Sequence, residues 1–185
     1  MPDGPDGTDG ADAVAVADTD DLRTGVPVHD ALLAVLPLVG TWRGTGTGAV
    51  PDEDREFRYA QRVEFVHDGR PFLAYSSRSW LVDDAGGLIR LAWRESGFWR
   101  LGTGPDDVEV VLASNTGQTL VLTGAAGDQE WQLESTSVVG TPTSVPVDGE
   151  RRFYAVRGND LLYATELAPG GHAFVPHLNA RLSRT

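Results

Sequence analysis

Phe57-Arg58-Tyr59-Ala60-Gln61-Arg62-Val63-Glu64-Phe65-Val66, followed at once by His67-Asp68-Gly69, decides how this chain is read. Phe57, Tyr59, Gln61, Val63 and Phe65 alternate with Arg58, Ala60, Arg62 and Glu64, the period of a strand with one face toward a core. Asp68-Gly69 is turn chemistry. The same unit, a short run and then a turn, recurs in both directions. A strand is expected at 38–44, and others at 71–82, 88–95, 98–103, 108–114, 119–123, 130–139, 151–157, 160–167 and 178–184. Ser96-Gly97, Gly104-Pro105-Asp106, Asn115-Thr116-Gly117, Asp148-Gly149, Gly158-Asn159 and Pro169-Gly170-Gly171 supply turns between them. One helix is expected over 29–36, where apolar residues fall at helical spacing before Pro37.

Ten to eleven strands joined by short turns describe an antiparallel up-and-down meander. Left open, such a sheet exposes two edges; closed into a barrel it has none. The short turns leave little room for the crossover of a Greek-key sandwich. The expected fold is therefore all-β: an antiparallel barrel of about ten strands, with a short N-terminal helix. A barrel of that width is not filled by its own side chains, so an interior ligand site is expected.

Composition narrows the function. The 185 residues contain no Cys, which excludes disulfides, thiolate-bound zinc, iron–sulfur clusters and covalently attached haem. It also fits a reducing, cytoplasmic setting. The net charge of -12 argues against nucleic acid and against an anionic membrane surface as partners. No apolar run approaches the roughly 20 residues of a membrane span, and the N-terminus lacks the basic and apolar regions of a signal peptide. Residues 1–22 hold seven Asp and no basic residue. Residues 1–25 are accordingly expected to be a disordered acidic tail, and 26–185 a single barrel domain.

Chemistry-bearing patterns are few. Gly40-Thr41-Trp42-Arg43-Gly44-Thr45-Gly46 is neither a phosphate loop nor a dinucleotide turn, because no Lys-Ser/Thr and no helix follow it. Its glycines permit close backbone approach, and Trp42 can plug the closed end of a barrel. Lipocalins and fatty-acid-binding proteins carry a similar Gly-x-Trp on their first strand. The four histidines, His29, His67, His172 and His177, show no metal-binding pair. A single His suffices for one task, the axial ligation of a non-covalent haem. For His177 the periodicity is ambiguous. Phe174, Leu178, Ala180 and Leu182 share one parity and His177 has the other, so a regular strand turns it away from the core. Pro176 interrupts that regularity.

Several segments taken together resemble the nitrobindins, a family of haem-binding barrels also known as fatty-acid-binding-like proteins or peroxynitrite isomerases. They are Gly40-Thr41-Trp42-Arg43-Gly44-Thr45-Gly46, Val63-Glu64-Phe65-Val66-His67-Asp68-Gly69-Arg70-Pro71-Phe72-Leu73, Glu95-Ser96-Gly97-Phe98-Trp99-Arg100, the stretch 110–117, and His177-Leu178. The resemblance runs from about Leu36 to the C-terminus. It implies one haem b per chain, held non-covalently, with His177 as the axial iron ligand and the residue on which catalysis depends. It implies isomerisation of peroxynitrite to nitrate at ferric haem and binding of nitric oxide by the ferrous form. It also implies a position for His67 near the distal side. Members often read Tyr-Pro-Thr after the glycine motif, with that Thr at the haem; this chain reads Val50-Pro51-Asp52. The competing expectations are the same barrel as a non-enzymatic haem or nitric oxide carrier, and a carrier of fatty acid or another apolar ligand.

Overall fold

A computed structural model describes residues 17–50 and 55–185. Residues 1–16, most of the acidic tail, lie outside the described residues, as do Pro51 and Asp52 of the departure noted above. Ten strands follow one another: β1 (Gly40–Ala49), β2 (Glu56–Val66), β3 (Leu73–Val82), β4 (Leu88–Leu101), β5 (Asp107–Ser114), β6 (Gln118–Ala126), β7 (Glu130–Gly140), β8 (Gly149–Arg157), β9 (Asp160–Ala168) and β10 (Val175–Arg184). Each pairs antiparallel with the next, and β1 also pairs with β10, closing the barrel.

The count is ten rather than eleven because Ser96-Gly97 is not a turn. The chain runs straight through it in β4, and Gly97 is there for a different reason. A Cβ at Gly97 would lie 1.8 Å from the carbonyl oxygen of Val111 on β5. The glycine lets two backbones approach where a side chain has no room. The same holds for the motif glycines of β1: a Cβ on Gly44 or Gly46 would sit 2.1 or 2.2 Å from a carbonyl oxygen of β10, those of Arg181 and Asn179. The motif is thus the seam that closes the barrel.

The helix is a 3₁₀ helix over Asp30–Leu38, and it includes Pro37 instead of stopping before it. His29 caps it, Nδ1 accepting from the Ala31 amide at 3.1 Å. Leu32, Val35 and Leu38 are buried against one end of the barrel. There Trp42 is fully buried, donates from Nε1 to the Leu38 carbonyl at 2.8 Å and stacks under the Arg184 guanidinium, 4.0 Å from its ring centre. Trp131 donates to the Ala34 carbonyl at 3.0 Å. These contacts shut that end.

The chain ahead of the helix engages the barrel earlier than the expected boundary at residue 25. Thr19 and His67 exchange two backbone hydrogen bonds, of 2.8 and 2.9 Å, and the Thr41 hydroxyl donates to Asp20 at 2.9 Å. Polar composition concealed this, because backbone pairing needs no apolar side chain.

Candidate functional site

His177 sits where β10 loses register with β9. Pro176 pairs with Glu166 and Leu178 with Thr165, so His177 is an extra residue between them. Such a bulge turns two consecutive side chains toward one side. Both His177 and Leu178 therefore line the pocket at the end of the barrel opposite the helix, despite their different parity. The strand-breaking effect of Pro176 resolves the ambiguity of the sequence.

The ring is held by the Ala49 carbonyl, 2.8 Å from Nδ1. Assigning the proton to Nδ1 makes that contact a hydrogen bond donated to the backbone and leaves Nε2 as a lone pair. Nε2 has no partner among the described residues. Burial, opposed by the Ala49 bond and aided by the nearby Arg152 charge, holds the His177 pKa below the usual imidazole value. The ring is neutral at physiological pH, the form that ligates a metal. Phe57 meets it edge-on at 6.4 Å, and Trp93, itself packed on Tyr59 at 5.2 Å, lines the same pocket.

The inner boundary of the pocket is ionic. Arg152 projects from β8 and is almost fully buried. Its Nη1 and Nη2 donate to the two carboxylate oxygens of Glu95 on β4, at 2.7 and 2.8 Å, and its Nε donates to Glu150 at 2.7 Å. The Tyr75 hydroxyl adds a bond to Glu95 at 2.6 Å. Desolvation raises the Glu95 pKa, but the attraction and hydrogen bonds of Arg152 and the Tyr75 bond outweigh it, so Glu95 lies below the ordinary carboxylate value. Glu95, Glu150 and Arg152 did not emerge from the motif search. The signal was present: Arg152 shares strand parity with Tyr154 and Val156, and Glu95 with Trp93 and Trp99, all inward-facing positions.

The other sequence candidates are not brought to this pocket. His67 follows β2 at the closed end, beside Phe65, which pairs with Gly40, whereas His177 bonds the far end of β1 at Ala49. The two ends of β1 are roughly 30 Å apart along the strand. The distal role expected for His67 is therefore corrected: His67 is 1% exposed beneath Thr19, with both ring nitrogens unbonded, and belongs to the packing of the closed end. Trp42, Gly40, Gly44 and Gly46 likewise serve the closed end and the seam. His29 is the helix cap and His172 lies exposed in a turn. Among the described residues no group of three or more His, Cys, Asp or Glu side chains is placed to hold a metal ion.

A metal brought to this pocket would thus depend on donors other than these side chains for most of its bonds. That matches an iron already held by a porphyrin, for which the protein need supply only one imidazole nitrogen, oriented by a backbone carbonyl. The fold and the pocket define a β-barrel of the haem-binding class. The family model described as "THAP4-like, heme-binding beta-barrel domain" matches residues 31–184, and the chain belongs to that family. Haem is accordingly the expected cofactor. Among similar proteins, a peroxynitrite isomerase of Salinispora arenicola is 40% identical over 171 residues, covering 90% of this chain and 87% of its own length. The peroxynitrite isomerase 2 of Mycolicibacterium smegmatis is 40% identical over 176 residues, covering 91% and 80%. The crystal structure of Rv2717c from M. tuberculosis superposes with a TM-score of 0.74 at 33% identity, covering 85% of this chain and 99% of that one. No helix among the described residues is long and apolar enough to cross a membrane.

Proposed function

We propose that this chain holds one haem b in the pocket beside His177, with Nε2 of His177 as the axial ligand, and isomerises peroxynitrite to nitrate. The observation that carries the reading is the bulge at His177. It turns the imidazole into the pocket, fixes it through Nδ1 on Ala49 and leaves a neutral nitrogen lone pair free. The names of the relatives supply the reaction. When bound, the haem iron supplies the Lewis-acidic centre at which the peroxide oxygens rearrange to nitrate.

The chain's own residues do the rest. His177 anchors the group and, through the Ala49 bond, keeps one orientation and one tautomer. Trp93 and Leu178 offer the apolar surface that excludes water from a flat ligand, and Phe57 packs edge-on against the His177 ring. The same pocket accommodates nitric oxide as a ligand of the reduced group, and a cytoplasmic setting belongs to this reading. A fatty-acid carrier would need an apolar bore. Here the cation that could meet a carboxylate head group is already saturated by Glu95 and Glu150, and an alkyl chain would end on that ion cluster.

The test is rapid mixing of peroxynitrite with the hemin-loaded ferric protein. Decay faster than with the hemin-free protein, with nitrate as the dominant product, is expected. Decay unchanged by hemin loading would refute the reading.

A further inference from the structure

The ion cluster at the inner boundary of the pocket is unbalanced: two carboxylates share one guanidinium, and they share it unequally. Glu95 takes two of its hydrogen bonds and a third from Tyr75. Glu150 takes only the Nε bond, through one carboxyl oxygen. Its other oxygen has no partner among the described residues, and the residue lines the same pocket as His177. Two like charges on one buried cation do not ionise equally; the less well bonded acid keeps its proton. We propose that Glu150 is the proton-carrying carboxyl of this pocket and sets its affinity for anions, admitting them in the acid form and repelling them when ionised.

The surroundings agree. Burial, the Glu95 charge and the incomplete compensation by Arg152 raise the Glu150 pKa, the opposite direction to Glu95. The remaining ionisable groups facing this cluster do not neutralise it. Tyr75, Tyr154 and Tyr163 are held protonated by burial, and His177 is held neutral. Arg151, the next cation along β8, lies on the outer face, where it pairs with Glu134 and Glu166. Ionising Glu150 therefore leaves the pocket with one uncompensated negative charge. Protonated, it is neutral and presents a hydrogen-bond donor. Peroxynitrite isomerisation converts one monoanion into another, so no proton is consumed; Glu150 acts on the charge of the pocket and returns to its starting state.

The inference rests on the haem reading for its ligand but not for its proton, and two measurements separate them. The first uses the hemin-free full chain and infrared spectroscopy at about pH 7. A protonated-carboxyl C=O band is expected in the wild type, absent in Glu150→Gln, and titrating at lower pH in Glu95→Gln, where Arg152 is freed to bind Glu150 fully. No such band in the wild type, or its persistence in Glu150→Gln, overturns the proposal whatever the haem does. The second uses the hemin-loaded ferric protein and fluoride. Wild-type affinity should fall about tenfold per pH unit once Glu150 ionises. Glu150→Gln, neutral at every pH and still a donor, should hold the low-pH affinity across the range. The same slope in both proteins overturns the proposal. Failure of both proteins to bind hemin contradicts the haem reading instead, and the infrared result still decides Glu150.

Discussion

Replacing Arg152 with Met removes the one buried Arg among the described residues while keeping most of its aliphatic volume. Glu95 then loses both guanidinium bonds and keeps only the Tyr75 hydroxyl. A buried carboxylate without its cation escapes by taking up a proton, so the penalty is capped by the cost of protonation. For a carboxyl with an ordinary pKa of about 4.3, that cost near pH 7 is roughly 3.7 kcal/mol, at ~1.36 kcal/mol per pH unit. Near pH 5 it falls to roughly 1 kcal/mol. Glu150 adds less, because burial already raises its pKa in the wild type. The change between the two pH values comes from the variant, whose Glu95 must take up a proton. In the wild type the depressed Glu95 pKa keeps the pair's contribution present at both values, and that contribution is lost only as pH falls below the unfolded value and through the folded one. Urea unfolding of the hemin-free proteins at both pH values tests this. Arg152→Met should cost about 3–4 kcal/mol near pH 7 and about 1 kcal/mol near pH 5. A loss below about 1 kcal/mol near pH 7, or a loss independent of pH, would show that the cluster is solvated or replaceable and would refute the argument.

Trp42→Ala should destabilise by ~3–5 kcal/mol in denaturant unfolding, because the ring is fully buried between the 3₁₀ helix and the Arg184 guanidinium. Gly97→Ala should cost ~2–4 kcal/mol and lower the thermal midpoint, since its Cβ would meet the Val111 carbonyl oxygen at 1.8 Å and β4 must shift against β5. An unchanged midpoint would mean that the two strands separate without cost.

The barrel was legible because it is written in local patterns. Alternation such as Phe57 to Phe65 marks each strand, and Asp-Gly or Gly-Asn pairs mark the turns. Gly97 was misread for a physical reason: glycine serves both turns and close strand contacts, and only the position of Val111 distinguishes them. His177 was half legible. Pro176 announced an irregularity, but a bulge is defined by the partner strand, and the pairing with β9 cannot be read from β10 alone. His67 misled because its place near the distal side came from the family resemblance alone, and the residues around it do not say which end of the barrel it reaches. Arg152 and Glu95 were visible only as charges at inward parity, and they lie 57 positions apart, a separation that no local pattern bridges.

The central claim is that one imidazole nitrogen, that of His177, anchors the haem. The measurement that meets it directly is a parallel hemin titration, followed by Soret absorption, of four variants: His29→Ala, His67→Ala, His172→Ala and His177→Ala. The account predicts that His177→Ala loses hemin binding or retains it only weakly with a shifted Soret band. His29→Ala, His172→Ala and His67→Ala should titrate like the wild type, the last because it lies at the closed end. Wild-type affinity and an unshifted band in His177→Ala, or loss of binding in His67→Ala with its fold intact, would contradict the account.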